Sequence, residues 1–312
     1  MAKMIAIRKI NQRLPKKQMT NDQHTFEALQ QLLSLEQLEV NLFRGASRDI
    51  GTKRVFGGQV LAQAVLAAGL TVEGRNMHSL HSYFLRAGDP EASIVYDVDR
   101  SRDGRSFSAR RVVAIQHGRP IFNLAASFQV AEQGLEHQFE SPDVPGPQEL
   151  GLEMEVPGQE LEHLPQNLRR WLDRFGPWEF RAVRGDDSSA RVPKPPFQEF
   201  WFRLNGDPGD DPLMNRALLA YLSDFHLIGT TTLPHGISWM QEELVMASLD
   251  HAMWFHRECK LDGWFLYVCD SPSTSGGRGL ARGMIYDHQG RLVASTAQEG
   301  MIRLRRQKKT KE

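Results

Sequence analysis

A glutamine stands on the apolar face of the last strand that the sequence predicts. Alternation puts every second residue of the run 292–304 on one face: Leu292, Ala294, Thr296, Gln298, Gly300, Ile302 and Leu304. Gln298 therefore projects an amide from a mostly apolar surface, where its polar atoms need hydrogen-bond partners. Such an amide either bonds to core backbone or orients a reactant, and the pattern alone allows both.

A carboxylate interrupts the apolar stripe of a helix predicted over residues 212–228. The stripe recurs at steps of three and four residues: Leu213, Ala217, Ala220, Tyr221, Asp224 and Ile228. Burial and a position near the helix C-terminus would both raise the pKa of the Asp224 carboxyl towards the range of a general base. The alternative is an Asx turn that only ends the helix, and the pattern favours neither.

A serine lies on the run 244–256, which the sequence predicts to be one continuous strand. One face of this run is apolar and consists of Val245, Ala247, Leu249, Met253 and Phe255. Ser248 falls on the other face together with Asp250. Alternation therefore predicts that Ser248 faces solvent.

The elements that carry these residues repeat the order found in the first half of the chain. In that half a predicted helix over 58–70 precedes four predicted strands, over 77–86, 93–101, 106–116 and 119–130. In the second half the helix over 212–228 precedes four strands, over 244–256, 264–270, 278–286 and 291–304. A further strand precedes each helix, over 42–44 and 197–204. One helix with five or six antiparallel strands in each half indicates an α+β fold.

Residue identities support the repeat. Gly104 and Gly118 are 14 residues apart, as are Gly276 and Gly290, and the same offset of 172 brings Ala109-Arg110 onto Ala281-Arg282. Nine of the 16 prolines lie between residues 141 and 200, which indicates an extended connector with one short helix over 166–175. The predicted units are a basic tail (1–22), a first domain (23–135), a Pro/Glu-rich linker (136–176), a second domain (177–306) and a basic tail (307–312).

Composition excludes several classes of protein. The 312 residues carry 38 Lys+Arg and 38 Asp+Glu, so the formal net charge of zero argues against a nucleic-acid binder. Hydrophobic residues make up 40% of the chain, as in globular domains. Two cysteines are too few for a disulfide framework, and no apolar run approaches the ~20 residues that span a bilayer.

Known signatures of other chemistries are absent from the sequence. Residues 236–240 lack the last glycine of a nucleophile elbow, and the glycines at 277, 279 and 283 miss the dinucleotide-binding spacing. The histidines have no metal-ligand spacing, so we expect neither a metal nor a cofactor. The chain end Lys309–Glu312 is not a Ser-Lys-Leu-type signal, and we expect a cytoplasmic protein.

Several strings resemble the acyl-CoA thioesterase II family, which includes bacterial thioesterase II and the peroxisomal long-chain acyl-CoA thioesterase. They are Arg54–Val60 (RVFGGQV), His78–Asp89 (HSLHSYFLRAGD), Ser106–Arg111 (SFSARR), Asp250–His256 (DHAMWFH) and Gln298–Gly300 (QEG). The resemblance extends from about residue 32 to residue 303. It implies a double hotdog, in which two curved antiparallel sheets in one chain each wrap around a helix.

The resemblance also implies an activity and a set of residues. The family hydrolyses acyl-CoA to free fatty acid and CoA with an Asp, a Thr or Ser, and a Gln around a water. The matching positions are Asp224 in Tyr-x-Ser-Asp, Ser248 two residues before Asp-His, and Gln298 in Gln-Glu-Gly. Many bacterial relatives have threonine where this chain has Ser248, so the hydroxyl is kept. His78 is a secondary candidate.

These assignments predict a hydrolase that acts on medium- to long-chain fatty acyl-CoA without a covalent intermediate. Asp224 would be the base, and Ser248 and Gln298 would position the water. We expect a homo-oligomer, a dimer or tetramer, with no nucleic-acid partner and no membrane span. The alternatives are a hotdog enoyl-CoA hydratase, whose Asp/His motif the sequence lacks, and a non-catalytic acyl-CoA binder, against which the complete set of three residues argues.

Overall fold

Antiparallel strands make up most of the protein. The computed structural model describes residues 25–50, 53–151, 176–183, 192–237 and 244–305. The basic tails and the short helix expected over 166–175 lie outside these residues. The predicted domain boundaries stay predictions.

The described residues contain thirteen strands, which form one sheet. The strands are β1 (Leu35–Glu39), β2 (Leu42–Gly45), β3 (Asn76–Phe84), β4 (Ile94–Asp103), β5 (Phe107–Gln116), β6 (Arg119–Gln129), β7 (Trp178–Ala182), β8 (Phe197–Leu204), β9 (Leu244–Ser248), β10 (Asp250–Phe255), β11 (Trp264–Ser275), β12 (Arg278–Asp287) and β13 (Leu292–Leu304). Their order across the sheet is β1-β2-β4-β5-β6-β3-β10-β13-β12-β11-β8-β7, and β9 pairs with β13 beside β10.

The two halves of this sheet have the same topology. Read outward from the centre, the first half runs β3-β6-β5-β4-β2-β1 and the second runs β10-β13-β12-β11-β8-β7. The halves join where β3 and β10 pair antiparallel, with Leu80 opposite Met253. The predicted α+β class and the two-copy repeat are therefore confirmed.

Three α-helices lie in the described residues: α1 (Phe26–Leu33), α2 (Gly57–Gly69) and α3 (Pro212–Ser223). Helix α3 begins with Asp211, whose side chain accepts a hydrogen bond from the amide of Leu213, and with a proline at the first helical position. The predicted helix over 212–228 was too long. It ends early because His226 adopts a φ of 61°, which an α-helix cannot accommodate, and a 3₁₀ helix follows over Ile228–His235.

Helices α2 and α3 pack against each other in antiparallel orientation at the centre of the molecule. A methyl group on Gly58 would lie 2.4 Å from the carbonyl oxygen of Tyr221, and one on Gly69 would lie 2.2 Å from Cδ1 of Leu213. At Gly58 only glycine permits the close approach of the backbone, and at Gly69 the Leu213 side chain fills the space that a methyl group would occupy. Residues of both halves consequently form one hydrophobic core.

Several short elements were not predicted. Helix α1 has 8 residues and strands β1 and β7 have 5 each, which is too short for a clear period, and β1 is exposed along most of its length. The segment that follows β6 crosses the outer face of the second half-sheet. There Gln138 bonds to the backbone of Gly290 and Leu292, and the indole of Trp201 donates to the carbonyl of Pro145.

None of the helices in the described ranges combines the length and the apolar character required to cross a bilayer.

Candidate active site

The amide of Gln298 joins the two other residues that the sequence singled out. Its Nε2 atom donates hydrogen bonds to Oδ1 of Asp224 at 2.6 Å and to Oγ of Ser248 at 3.0 Å. These residues are 74 and 50 positions away along the chain. The structure therefore brings Asp224, Ser248 and Gln298 into one hydrogen-bonded cluster, which we call the polar triad.

Strand β13 positions Gln298 as its alternation predicts. Thr296, Gln298 and Gly300 are buried on the face that meets the helices, and Gln298 is 0% exposed. Both hydrogens of its Nε2 are used by the other triad members. Its Oε1 is buried and has no hydrogen-bond partner among the described residues. A buried acceptor of this kind is usually satisfied by water or ligand.

Asp224 directly follows the last residue of α3, at the C-cap position. Hydrogen bonds of Ser223 fix the end of this helix. The Ser223 hydroxyl donates to the carbonyl of Ala220 at 2.9 Å, and the Ser223 carbonyl accepts from the phenol of Tyr267 at 3.1 Å. His251 Nε2 lies 3.0 Å from the Ser223 hydroxyl. These bonds determine the position from which the Asp224 carboxylate projects.

The prediction that Ser248 faces solvent was wrong, because the run 244–256 is not one regular strand. Ser248 lies opposite Gly300 of β13, whereas Ala252 lies opposite Ala297. Three residues on one strand thus face two on the other, which is a β-bulge at Leu249. The bulge reverses the alternation and turns Ser248 towards Gln298.

Asp250 stabilises this bulge. Its Oδ1 accepts a hydrogen bond at 2.6 Å from the backbone amide of Glu299, the residue that follows Gln298. Burial is the main cause that raises the pKa of Asp250, and the neighbouring Glu299 carboxylate adds to it. The side chain therefore satisfies a backbone donor at the irregular point of the ladder.

The first half of the chain contributes the start of α2. A methyl group on Gly57 would lie 2.7 Å from Oδ2 of Asp224 and 3.1 Å from the ring of Phe84. The first amides of a helix have no acceptor within the helix, and its N-terminus carries partial positive charge. The start of α2 therefore brings the positive end of its dipole next to the Asp224 carboxylate.

His78, the secondary candidate, takes part in a different contact. Its Nε2 bonds to Oγ of Ser127 at 2.8 Å, and its ring packs edge-on against Phe107. Burial lowers the pKa of this imidazole. In the described structure no hydrogen bond connects His78 to the polar triad.

Sequence reasoning missed Gly57, His251 and Tyr267. Gly57 belongs to the string RVFGGQV, where two glycines at a helix start indicate close approach of other atoms. His251 and Tyr267 alternate with apolar residues on buried strands and look like ordinary core positions. Within the described ranges no three or more His, Cys, Asp or Glu side chains are grouped as they would be around a metal ion.

Two family models match the chain. A model described as acyl-CoA thioesterase covers residues 193–301, which include the whole polar triad. A second, described as the acyl-CoA thioesterase N-terminal domain, covers residues 45–129 and includes Gly57. The two matches correspond to the two halves of the sheet.

Complete proteins are similar over nearly their whole length. Acyl-CoA thioesterase 2 of Haemophilus influenzae is 42% identical over 273 residues, which are 87% of this chain and 96% of that protein. Human acyl-coenzyme A thioesterase 8 is 42% identical over 88% of this chain and 89% of its own. A crystal structure of an acyl-CoA thioesterase II from Mycobacterium marinum has a TM-score of 0.73 and 40% identity, and the match covers 89% of this chain and 99% of that one. The predicted double-hotdog fold is thereby confirmed.

His251 makes the fold sensitive to acid. Burial lowers the pKa of its imidazole from 6.5 to about 4 in the folded protein. Between these values the unfolded chain binds the proton more readily, so the stability present above pH 6.5 is lost as the pH falls towards 4. At about 1.4 kcal/mol per pKa unit, His251 contributes a loss of about 3 kcal/mol in the free energy of unfolding. Urea titrations across this pH range measure this loss in the free energy of unfolding.

The variant His251→Gln cannot titrate, so its stability should fall less steeply with acid than that of the wild type. His235→Gln changes an exposed imidazole and serves as the matched control with the wild-type slope. Equal slopes for His251→Gln and the wild type would contradict this prediction.

Proposed function

This chain belongs to the acyl-CoA thioesterase family and is an acyl-CoA thioester hydrolase; we propose that Asp224, Ser248 and Gln298 orient the water that attacks a medium- to long-chain fatty acyl-CoA. The products are free fatty acid and CoA. The observation that carries this proposal is the Gln298 amide, which donates to the Asp224 carboxylate at 2.6 Å and to the Ser248 hydroxyl at 3.0 Å.

Each member of the triad has a distinct part in the reaction. Gln298 donates to Oδ1 of Asp224 and so orients the carboxylate, which accepts a proton from water. The hydroxyl oxygen of Ser248 accepts from Gln298, so its proton can be donated to one lone pair of that water. The other lone pair attacks the thioester carbonyl carbon. Asp224 then returns the proton to the sulfur as the carbon–sulfur bond breaks.

The negative charge that develops on the carbonyl oxygen needs hydrogen-bond donors. The amides of Gly57 and Gly58 would meet this need, because they are the first amides of α2 and a methyl group on Gly57 would lie 2.7 Å from Oδ2 of Asp224. The positive end of the helix dipole favours the same charge. The oxyanion is therefore stabilised by the first half of the chain and the water is activated by the second.

Aromatic and aliphatic side chains next to the triad support a long apolar substrate. Phe84 lies against Gly57, and the ring of Phe56 packs 4.7 Å from that of Phe225. Ile228 lies over Gly300, and a methyl group on Gly300 would be 2.5 Å from Cδ1 of Ile228. Such surfaces favour an alkyl chain by removing it from water.

Asp224→Asn is expected to remove the base while it preserves the shape of the side chain. Turnover should fall at least about 100-fold, as for loss of a general base. Release of free thiol from acyl-CoA measures the rate, and thermal unfolding verifies the fold. Asp270→Asn is the matched control, because Asp270 pairs with Arg282 on the surface. This variant should hydrolyse acyl-CoA at the wild-type rate. Near-wild-type hydrolysis by Asp224→Asn would refute the mechanism.

Gly57→Ala is expected to displace the Asp224 carboxylate. The added methyl group would stand 2.7 Å from Oδ2, so the carboxylate must move and turnover should fall roughly 10- to 100-fold. Gly229→Ala is the control, because a methyl group there has no atom within 4 Å. Steady-state kinetics compare the two variants. Normal turnover in a folded Gly57→Ala protein would contradict the assigned role of the α2 start.

Chain-length preference can be measured with saturated acyl-CoAs of two to twenty carbons. We expect kcat/KM to rise with chain length and to be highest for medium and long chains, because each additional methylene is buried against apolar side chains. A maximum at acetyl-CoA would refute the proposed substrate class. The homo-oligomer and the cytoplasmic location stay predictions, and light scattering would measure the former.

A further inference from the structure

Tyr267 connects the two elements that carry Asp224 and Gln298. Its hydroxyl lies 3.1 Å from the carbonyl oxygen of Ser223 and 2.8 Å from Oγ1 of Thr296. Resting on the proposed function above, we infer that Tyr267 is a positioning residue that sets the placement of the Asp224 carboxylate relative to the Gln298 amide.

The direction of these bonds follows from the number of protons. A phenol has one hydrogen, and a carbonyl oxygen can only accept. Tyr267 therefore donates to Ser223, and Thr296 donates to Tyr267. The result is a directed chain of hydrogen bonds from β13 through β11 to the end of α3.

Each end of this chain lies next to a triad residue. Ser223 directly precedes Asp224, and its carbonyl belongs to the peptide group that joins the two residues. Thr296 lies two residues before Gln298 on the same face of β13. The bond between Gln298 and Asp224 is 2.6 Å long, so a small shift of either element would lengthen it. Misplacement by about 1 Å can cost a reaction up to about 100-fold.

The site of Tyr267 is shaped to hold its ring. Tyr267 is 0% exposed, and a methyl group on Gly283 would lie 2.3 Å from Cε2 of the ring and 2.7 Å from Oγ1 of Thr296. Burial raises the pKa of Tyr267 well above its ordinary value, and the Asp224 carboxylate adds to this effect. The phenol therefore keeps the proton that it donates.

The first half of the chain contains a topologically equivalent tyrosine. Tyr96 pairs with Ala114, which pairs with Phe122, whereas Tyr267 pairs with Ile285, which pairs with Ala294. An irregularity follows Ala114 and Ile285 at the same point of each ladder. Tyr96 is also 0% exposed, but its hydroxyl donates to Oε1 of Gln63 within the first half.

This equivalence gives a matched pair of variants, Tyr267→Phe and Tyr96→Phe. Each removes one buried hydroxyl from the same place in a hotdog unit, so both should lower the melting temperature, Tyr267→Phe the more because its hydroxyl has two hydrogen-bond partners and that of Tyr96 has one. Only Tyr267→Phe should lower kcat, by about tenfold, with KM within about twofold, because substrate binding does not use the hydroxyl. Unchanged kcat in Tyr267→Phe, or an equal fall in Tyr96→Phe, would overturn the inference.

Thr296→Val tests the same bridge by itself and replaces Tyr267→Phe if that variant does not fold. It should lower kcat to a similar extent. If both single variants fold, the double variant should be no slower than the slower of them. Additive losses would overturn the inference. Asp224→Asn separates the two proposals: if it is inactive and Tyr267→Phe is not impaired, only the role of Tyr267 fails. If Asp224→Asn is active, the proposed mechanism itself fails.

Discussion

The side-chain amide of Gln298 donates its two hydrogens to acceptors that come from different parts of the chain. An amide is planar, so the two N–H directions are fixed once its plane is fixed. The carboxylate at the end of α3 and the hydroxyl at the end of β9 must each stand in one of these directions. A buried donor without an acceptor costs about 1–3 kcal/mol, so the fold itself depends on this arrangement. The bulge at Leu249 and the early end of α3 are the local distortions that meet the requirement.

The contact between the two halves has a consequence for the chemistry. Gly58 and Gly69 allow α2 and α3 to approach so closely that the start of one helix meets the end of the other. The C-cap carboxylate of α3 would otherwise stand in the negative potential of its own helix. The positive end of α2 offsets that potential at the same place. A single unit, with only one of these helix ends, could not provide both the proposed base and the proposed amide donors.

The sequence predicted the residues whose signal is local. Gln298 and Asp224 each break an apolar period, and the structure brings both side chains into the triad. Ser248 could not be found in this way, because its orientation depends on one additional residue at Leu249 that strand pairing alone reveals. The end of α3 was missed for a related reason. His226 has a positive φ, but the sequence has no glycine at this position to indicate it. The proposed role of Tyr267 could not be predicted from the sequence, because it depends on contacts with Ser223 and Thr296, which are distant along the chain.

The strand ladders also explain why only one half contains the triad. Ala281 pairs with Gln298 in the second half, and the equivalent inward pair in the first half is Arg110 with Ala126. This equivalence is one residue away from the sequence repeat that aligned Ala109 with Ala281. The first half therefore has a methyl group where the second has an amide, and Arg110 fills the neighbouring space with bonds to Thr71 and Asp103.

Strand β9, which carries Ser248, has no counterpart among the described strands of the first half. The described part of the first half thus has neither the amide nor the hydroxyl at the equivalent positions, and it contributes the glycine-rich start of its helix to the site. The two copies thus contribute different parts of one site.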